Sequence, residues 1–210
     1  MAWYTDPLEY RSRLLMKRLN GQAAACGEGV EGLVDFVRAP TPAKAARAHE
    51  AGTHGANERR ALTEEIRRAS LIPFDRDGVL ALSGALEKVL DLALRVVDEV
   101  VPFGLAPNPI VSQMAELLRE AVKAVCAATE QLERGGRLPR SRSGLRALAK
   151  SRVTMERQDA SAAQILEKAE TVSDLMEVVK LLEVQRDLQS AADHAESARR
   201  TIAQMVSSAG

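Results

Sequence analysis

Residues 75–101 read DRDGVLALSGALEKVLDLALRVVDEVV. Val79, Leu82, Leu86, Leu90, Val97 and Val100 recur there at spacings of three, four and seven, which lays them along one side of an α-helix. Asp75 follows Pro73-Phe74 and is placed to cap the first turn. The stretch therefore predicts a long amphipathic helix with a Leu/Val seam.

The same pattern extends along the chain in both directions. Breaks fall at Pro40-Thr41-Pro42, at Pro73, between Pro102 and Pro109, and at Gly135-Gly136 with Pro139, with a weaker one near residues 171–174. They separate segments of roughly 25–35 residues, each with helical periodicity. The first segment, residues 7–37, carries Leu8, Leu15, Leu19, Cys26, Val30, Leu33, Val34 and Val37 on one face, with Gly27, Gly29 and Gly32 expected to weaken its last turns. The second, residues 41–69, starts with Thr41 as N-cap and Pro42 at the first helical position; it is Ala-rich, and Gly52 and Gly55 are expected to interrupt it. The fourth, residues 109–134, turns Ile110, Met114, Leu117, Leu118, Ala121, Val125 and Leu132 inward. The fifth, residues 143–170, has a thin stripe of Leu145, Leu148, Met155, Ala162 and Leu166. The sixth, residues 173–206, is expected to bury Leu175, Val179, Leu182, Leu188, Ala192, Ala195, Ile202 and Met205.

No segment alternates with a period of two for long enough to form a strand. Six long helices joined by short loops predict an all-α antiparallel bundle. A helix of ~30 residues is ~45 Å long. The break at residues 102–109 divides the chain into three helices plus three, so one 210-residue domain with halves 1–103 and 104–210 is expected.

Composition narrows the function classes. Apolar residues make up 46% of the chain and aromatics only 3%, a mix that suits a helical core and not a β-sandwich. Lys+Arg and Asp+Glu both number 29, so there is no basic excess to grip nucleic acid or an anionic membrane. Cys26 and Cys126 form no CxxC pair, which excludes a zinc finger and a secreted disulfide framework. Both read as small buried side chains. The first thirteen residues have no apolar signal core, and no window approaches the ~18 apolar residues of a membrane span. A cytoplasmic location is the expectation.

Catalytic motifs are absent: there is no GxSxG elbow, no GxxxxGK[ST], and no Glu-x-x-His of the di-iron type. A non-enzymatic protein is expected. Carboxylates four residues apart remain. Glu87 and Asp91 share the edge of the third helix beside Leu86 and Leu90 and can reach a groove between helices. Oxygen ligands so spaced on neighbouring helices can enclose a metal ion, although such pairs also occur as solvated faces. Glu50 and His54 repeat the spacing on the second helix, Met155 and Asp159 on the fifth, and Gln189 and Asp193 on the sixth. The one basic cluster, residues 137–146, reads as a solvated loop before a helix or as a site for phosphate or an acidic partner.

The stretch IPFDRDGVLALSGALEKVLD, residues 72–91, resembles the signature of the short PhoU-like proteins, regulators of phosphate transport. In that family a Thr-Pro-Phe-Asp-Arg-Glu-Asp-Ile loop opens the third helix. DLMEVVK at 174–180 and LQSAADHAE at 188–196 resemble its last helix, and order, spacing and length agree over nearly the whole chain. The resemblance implies six helices as two pseudo-symmetric three-helix bundles. It implies multinuclear metal sites, with iron, zinc or nickel as the candidate ions, built from Glu/Asp-x-x-x-Asp on facing helices. It also implies a regulatory role beside a low-affinity inorganic phosphate transporter, with homo-oligomerisation open.

Carried over by position, the metal residues are Glu50 and His54, Glu87 and Asp91, Asp159, and Asp193. Only Glu87/Asp91 keeps the family motif whole. The second-helix pair fits with a two-residue gap before Pro73; without the gap, Gly52 and Ala56 take those positions. Met, Gln and His in place of carboxylates remove negative charge that a cation cluster needs. Two readings follow: a regulator that uses metal, and a metal-free helical scaffold or dimerisation protein of the same fold.

Overall fold

A computed structural model describes residues 7–68, 75–103, 105–133 and 172–208. Among these residues there are five helices and no strand: α1 (Pro7–Arg38), α2 (Pro42–Arg68), α3 (Arg76–Val100), α4 (Pro109–Glu133) and α5 (Val172–Ser208). They coincide with predicted segments one to four and six. The predicted fifth helix, the basic cluster at 137–146, and Met155 with Asp159 lie outside the described residues.

The boundaries follow from local chemistry. Asp75 caps α3: its Oδ1 accepts from the Gly78 amide at 2.9 Å. Asn108 does the same for α4, with Oδ1 2.8 Å from the Ile110 amide. Thr41 starts α2, its Oγ1 3.4 Å from the Lys44 amide and its carbonyl accepting from Lys44 and Ala45. The loop between α1 and α2 is short, so the two helices lie antiparallel.

α1 packs on α2, α3 and α4; α3 also packs on α2 and α5, and α4 on α5. One apolar core runs through α1–α5, from Leu15 and Leu19 through Leu62, Leu86 and Leu118 to Leu188 and Ile202. Buried polar pairs fix its register. Gln22 of α1 donates to the Ser83 carbonyl of α3 at 2.9 Å, and the Ser83 hydroxyl donates back to Gln22 Oε1 at 2.7 Å. Cys126 of α4 donates from Sγ to the Ala23 carbonyl of α1 at 3.1 Å. Both cysteines are free, and burial raises their thiols, that of Cys126 to about 11, which leaves them protonated at neutral pH.

Two expectations need correction. The glycines of α1 and α2 neither weaken nor interrupt their helices, which run unbroken. They are contact positions. A Cβ on Gly32 would lie 3.1 Å from the Ala48 Cα, so α1 and α2 meet almost backbone to backbone. A Cβ on Gly29 would lie 2.3 Å from Leu90 Cδ1, and one on Gly55 2.7 Å from Leu90 Cδ2. Leu90 therefore fills a socket made by two missing side chains.

The second correction concerns the first turns of α5. Leu175 and Val179, expected inward, are 39% and 50% exposed. The buried seam is instead Val178, Leu181, Val184, Gln185 and Leu188, continuing to Ile202 and Met205. Gln185 sits in that seam, 1% exposed, and a polar residue there hides the true stripe from an apolar count.

Leu90→Ala should lower unfolding free energy by about 2–5 kcal/mol in urea denaturation, because it empties a tightly bounded site. Gly32→Val should destabilise by about 1–3 kcal/mol, because α1 and α2 must separate to admit it. A loss below ~0.5 kcal/mol for Leu90→Ala would contradict the packing described.

Candidate functional site

Glu87 and Asp91 stand one turn apart on α3 and line an open groove against α2. The facing wall is Gly52, Gly55, Ala56 and Arg59, with Gln22, Leu90 and Leu94 completing the lining. The helices run antiparallel in a clear register. The Cβ position of Gly52 meets Leu94, that of Gly55 meets Leu90, and Arg59 reaches Glu87.

The structure thus places Gly52 and Ala56, not Glu50 and His54, opposite the intact carboxylate pair. Glu50 is exposed and is not part of the groove. His54 is also exposed and lies beside Glu28 of α1 and Glu58 of α2, with ring nitrogens 4.0 and 3.9 Å from their carboxylates. Asp193 is exposed on α5 and Gln189 is half-buried beside it; Asp159 lies outside the described residues.

Glu87 has a partner already. Arg59 Nη1 lies 2.5 Å from Glu87 Oε1, with the two side chains 41% and 32% exposed. Asp91 is more open, 3.9 Å from Lys88 on its own helix. A multinuclear metal centre needs donors from both walls, and Gly52, Gly55 and Ala56 supply none. Among the described residues, no group of three or more His, Cys, Asp or Glu is placed to hold a metal ion. The residues of this groove do not fit the metal cluster that the sequence resemblance implies.

A second carboxylate site escaped the sequence reading. Half-buried Glu99 of α3 and buried Asp187 of α5 face each other where the two helices meet, and the buried oxygens Glu99 Oε2 and Asp187 Oδ2 have no hydrogen-bond partner. Arg95 Nη1 lies 3.4 Å from Asp187 Oδ1. Loss of water raises the Glu99 pKa, and the charges of Asp187, Glu183 and Asp98 add to the rise against the opposing pull of Arg95. Burial likewise raises Asp187; Glu183 adds to it, while Arg95 and Arg186 oppose it. These residues carry no helical spacing motif within one segment, so only the α3–α5 contact reveals them.

The raised acids have a defined sign. Their folded-state pKa lies above the unfolded value, so the folded chain holds more protons in the window between the two, and their contribution to stability falls as pH rises through it. Glu99→Gln should therefore gain stability relative to the wild type as pH rises above the ordinary glutamate value of about 4.3. Urea titrations across that range test this; a pH-independent difference would contradict it.

No protein-family model matches the chain, and no curated relative does. Solved structures do. A PhoU-like protein from Shewanella oneidensis MR-1 superposes with a TM-score of 0.64 at 18% identity, covering 92% of this chain and 99% of its own. A second protein from the same organism, described as a PhoU-like phosphate regulatory protein, gives a TM-score of 0.60 at 19% identity with the same coverage. The chain has the all-α PhoU-like fold over nearly its whole length.

Proposed function

We propose that this chain is a non-enzymatic PhoU-like regulator of inorganic phosphate transport that acts by contact with a low-affinity phosphate transporter or with the proteins that control it. The observation that carries the reading is the extent of the likeness: 92% of this chain against 99% of a protein described as a PhoU-like phosphate regulatory protein. A shared core fragment would leave a large part of one chain uncovered. Fold alone does not determine function, so the assignment is by analogy and rests on that whole-chain match. The signature at residues 72–91 supports it independently, because it rests on the amino-acid sequence and not on the superposition. The N-terminal part of α5 adds Leu175, Met176 and Val179 as exposed apolar side chains. Among the described residues, no helix is long and apolar enough to cross a membrane, so the proposed action on a transporter is by docking.

The scaffold reading keeps the fold and drops the metal. The non-ligating wall of Gly52, Gly55 and Ala56 favours a metal-free first half within either reading.

Deleting the gene in its native host should change the initial rate of labelled inorganic phosphate uptake at millimolar external phosphate. Plasmid-borne wild type should restore it. Affinity capture of the chain from that host should recover the phosphate transporter or its regulators. Unchanged uptake together with capture of neither would overturn the regulator and leave the scaffold reading.

A further inference from the structure

We infer that the Arg59 guanidinium is the resident cation of the α2–α3 groove, fixing Glu87 and closing the two helices on each other without a metal. The inference concerns the groove alone and stands apart from the phosphate role proposed above. Three observations carry it. Arg59 Nη1 lies 2.5 Å from Glu87 Oε1 with both groups half-buried, so one of the two carboxylates in the groove is already engaged. Apart from Arg59 itself, the α2 wall opposite offers Gly52, Gly55 and Ala56, none with a metal-ligating atom in its side chain. The space of the two missing side chains is taken by leucine methyls: Leu94 Cδ1 lies 2.4 Å from the Cβ position of Gly52, and Leu90 Cδ2 2.7 Å from that of Gly55.

Arg59 is on the same face of α2 as these residues, three positions after Ala56 and four after Gly55. Its charge is permanent at any physiological pH. A cation tethered to the helix acts at high effective concentration, so a free divalent ion must displace it to reach Glu87. Asp91, next to exposed Lys88 at 3.9 Å, cannot hold a metal by itself.

The test uses the full chain purified without an affinity tag. Bound manganese, iron, nickel and zinc are measured by elemental analysis, and Tm is measured with EDTA and with added manganese or zinc chloride. Wild type, Glu87→Gln, Arg59→Gln, Arg59→Lys and the double variant Arg59→Gln/Glu87→Gln are compared. The readout is Glu87-dependent metal, the difference between a chain and its Glu87→Gln counterpart.

For wild type that difference should be below about 0.1 equivalents, and any metal-induced shift in Tm should be the same with and without Glu87. Arg59→Gln should lower Tm and acquire a metal-induced rise that the double variant lacks. Arg59→Lys, which keeps a cation, should show no Glu87-dependent metal. Near-stoichiometric Glu87-dependent metal in the wild type would overturn the inference. So would an Arg59→Gln chain matching the wild type in both Tm and metal response.

Discussion

The Leu90 socket sets the arrangement around which the first three helices pack. One isobutyl group is bounded on one side by Gly29 of α1 and on the other by Gly55 of α2. A leucine held between two bare backbones cannot slide by a residue without striking a Cβ or opening a void, and either error costs on the order of kilocalories. The socket therefore fixes depth and register together. With Leu90 at Gly55, Leu94 falls at Gly52 and Glu87 at Arg59. The composition of α2, poor in large apolar residues, is explained by the same contact. Its inner face needs to be thin, because α1 and α3 both approach it closely.

Much of this was legible in the sequence. The helix starts at Thr41, Asp75 and Pro109 could be placed because caps and prolines act locally, through a few neighbouring amides. The α3 seam was legible because a uniform Leu/Val stripe has one interpretation. The glycines were misread because glycine has two opposed meanings in a helix, a weak point or a contact, and a single sequence does not show what lies across from it. The start of α5 was misread for a related reason. Leu175 and Val179 advertise an apolar face, while Gln185 conceals the buried one.

The candidate site divides along the same line. That Glu87 and Asp91 reach an interhelical groove followed from their position beside Leu86 and Leu90. Their partners did not follow, because choosing between Glu50/His54 and Gly52/Ala56 meant choosing the relative register of α2 and α3. Periodicity fixes which face of a helix is inward but not how far the helix is shifted along its neighbour. The Gly–Leu contacts supply that shift. Glu99 and Asp187 show the limit more plainly, since they are 88 positions apart and meet only when α5 packs on α3.

A groove held by guanidinium and a groove held by metal differ in what can regulate them. A metal ion can be withdrawn by a chelator or by scarcity, so its site reports on supply. Arg59 is covalently attached and permanently charged, so its contact with Glu87 cannot be withdrawn by a chelator and responds to forces that move α2 relative to α3. The pair is part-exposed and contributes about 1 kcal/mol or less on its own, whereas the Leu90 socket beside it resists separation more strongly. The natural lever on this part of the molecule is therefore mechanical. A partner that docks on the helical surface and shifts α2 would break the Arg59–Glu87 pair, whereas the metal content of the surroundings would leave it in place.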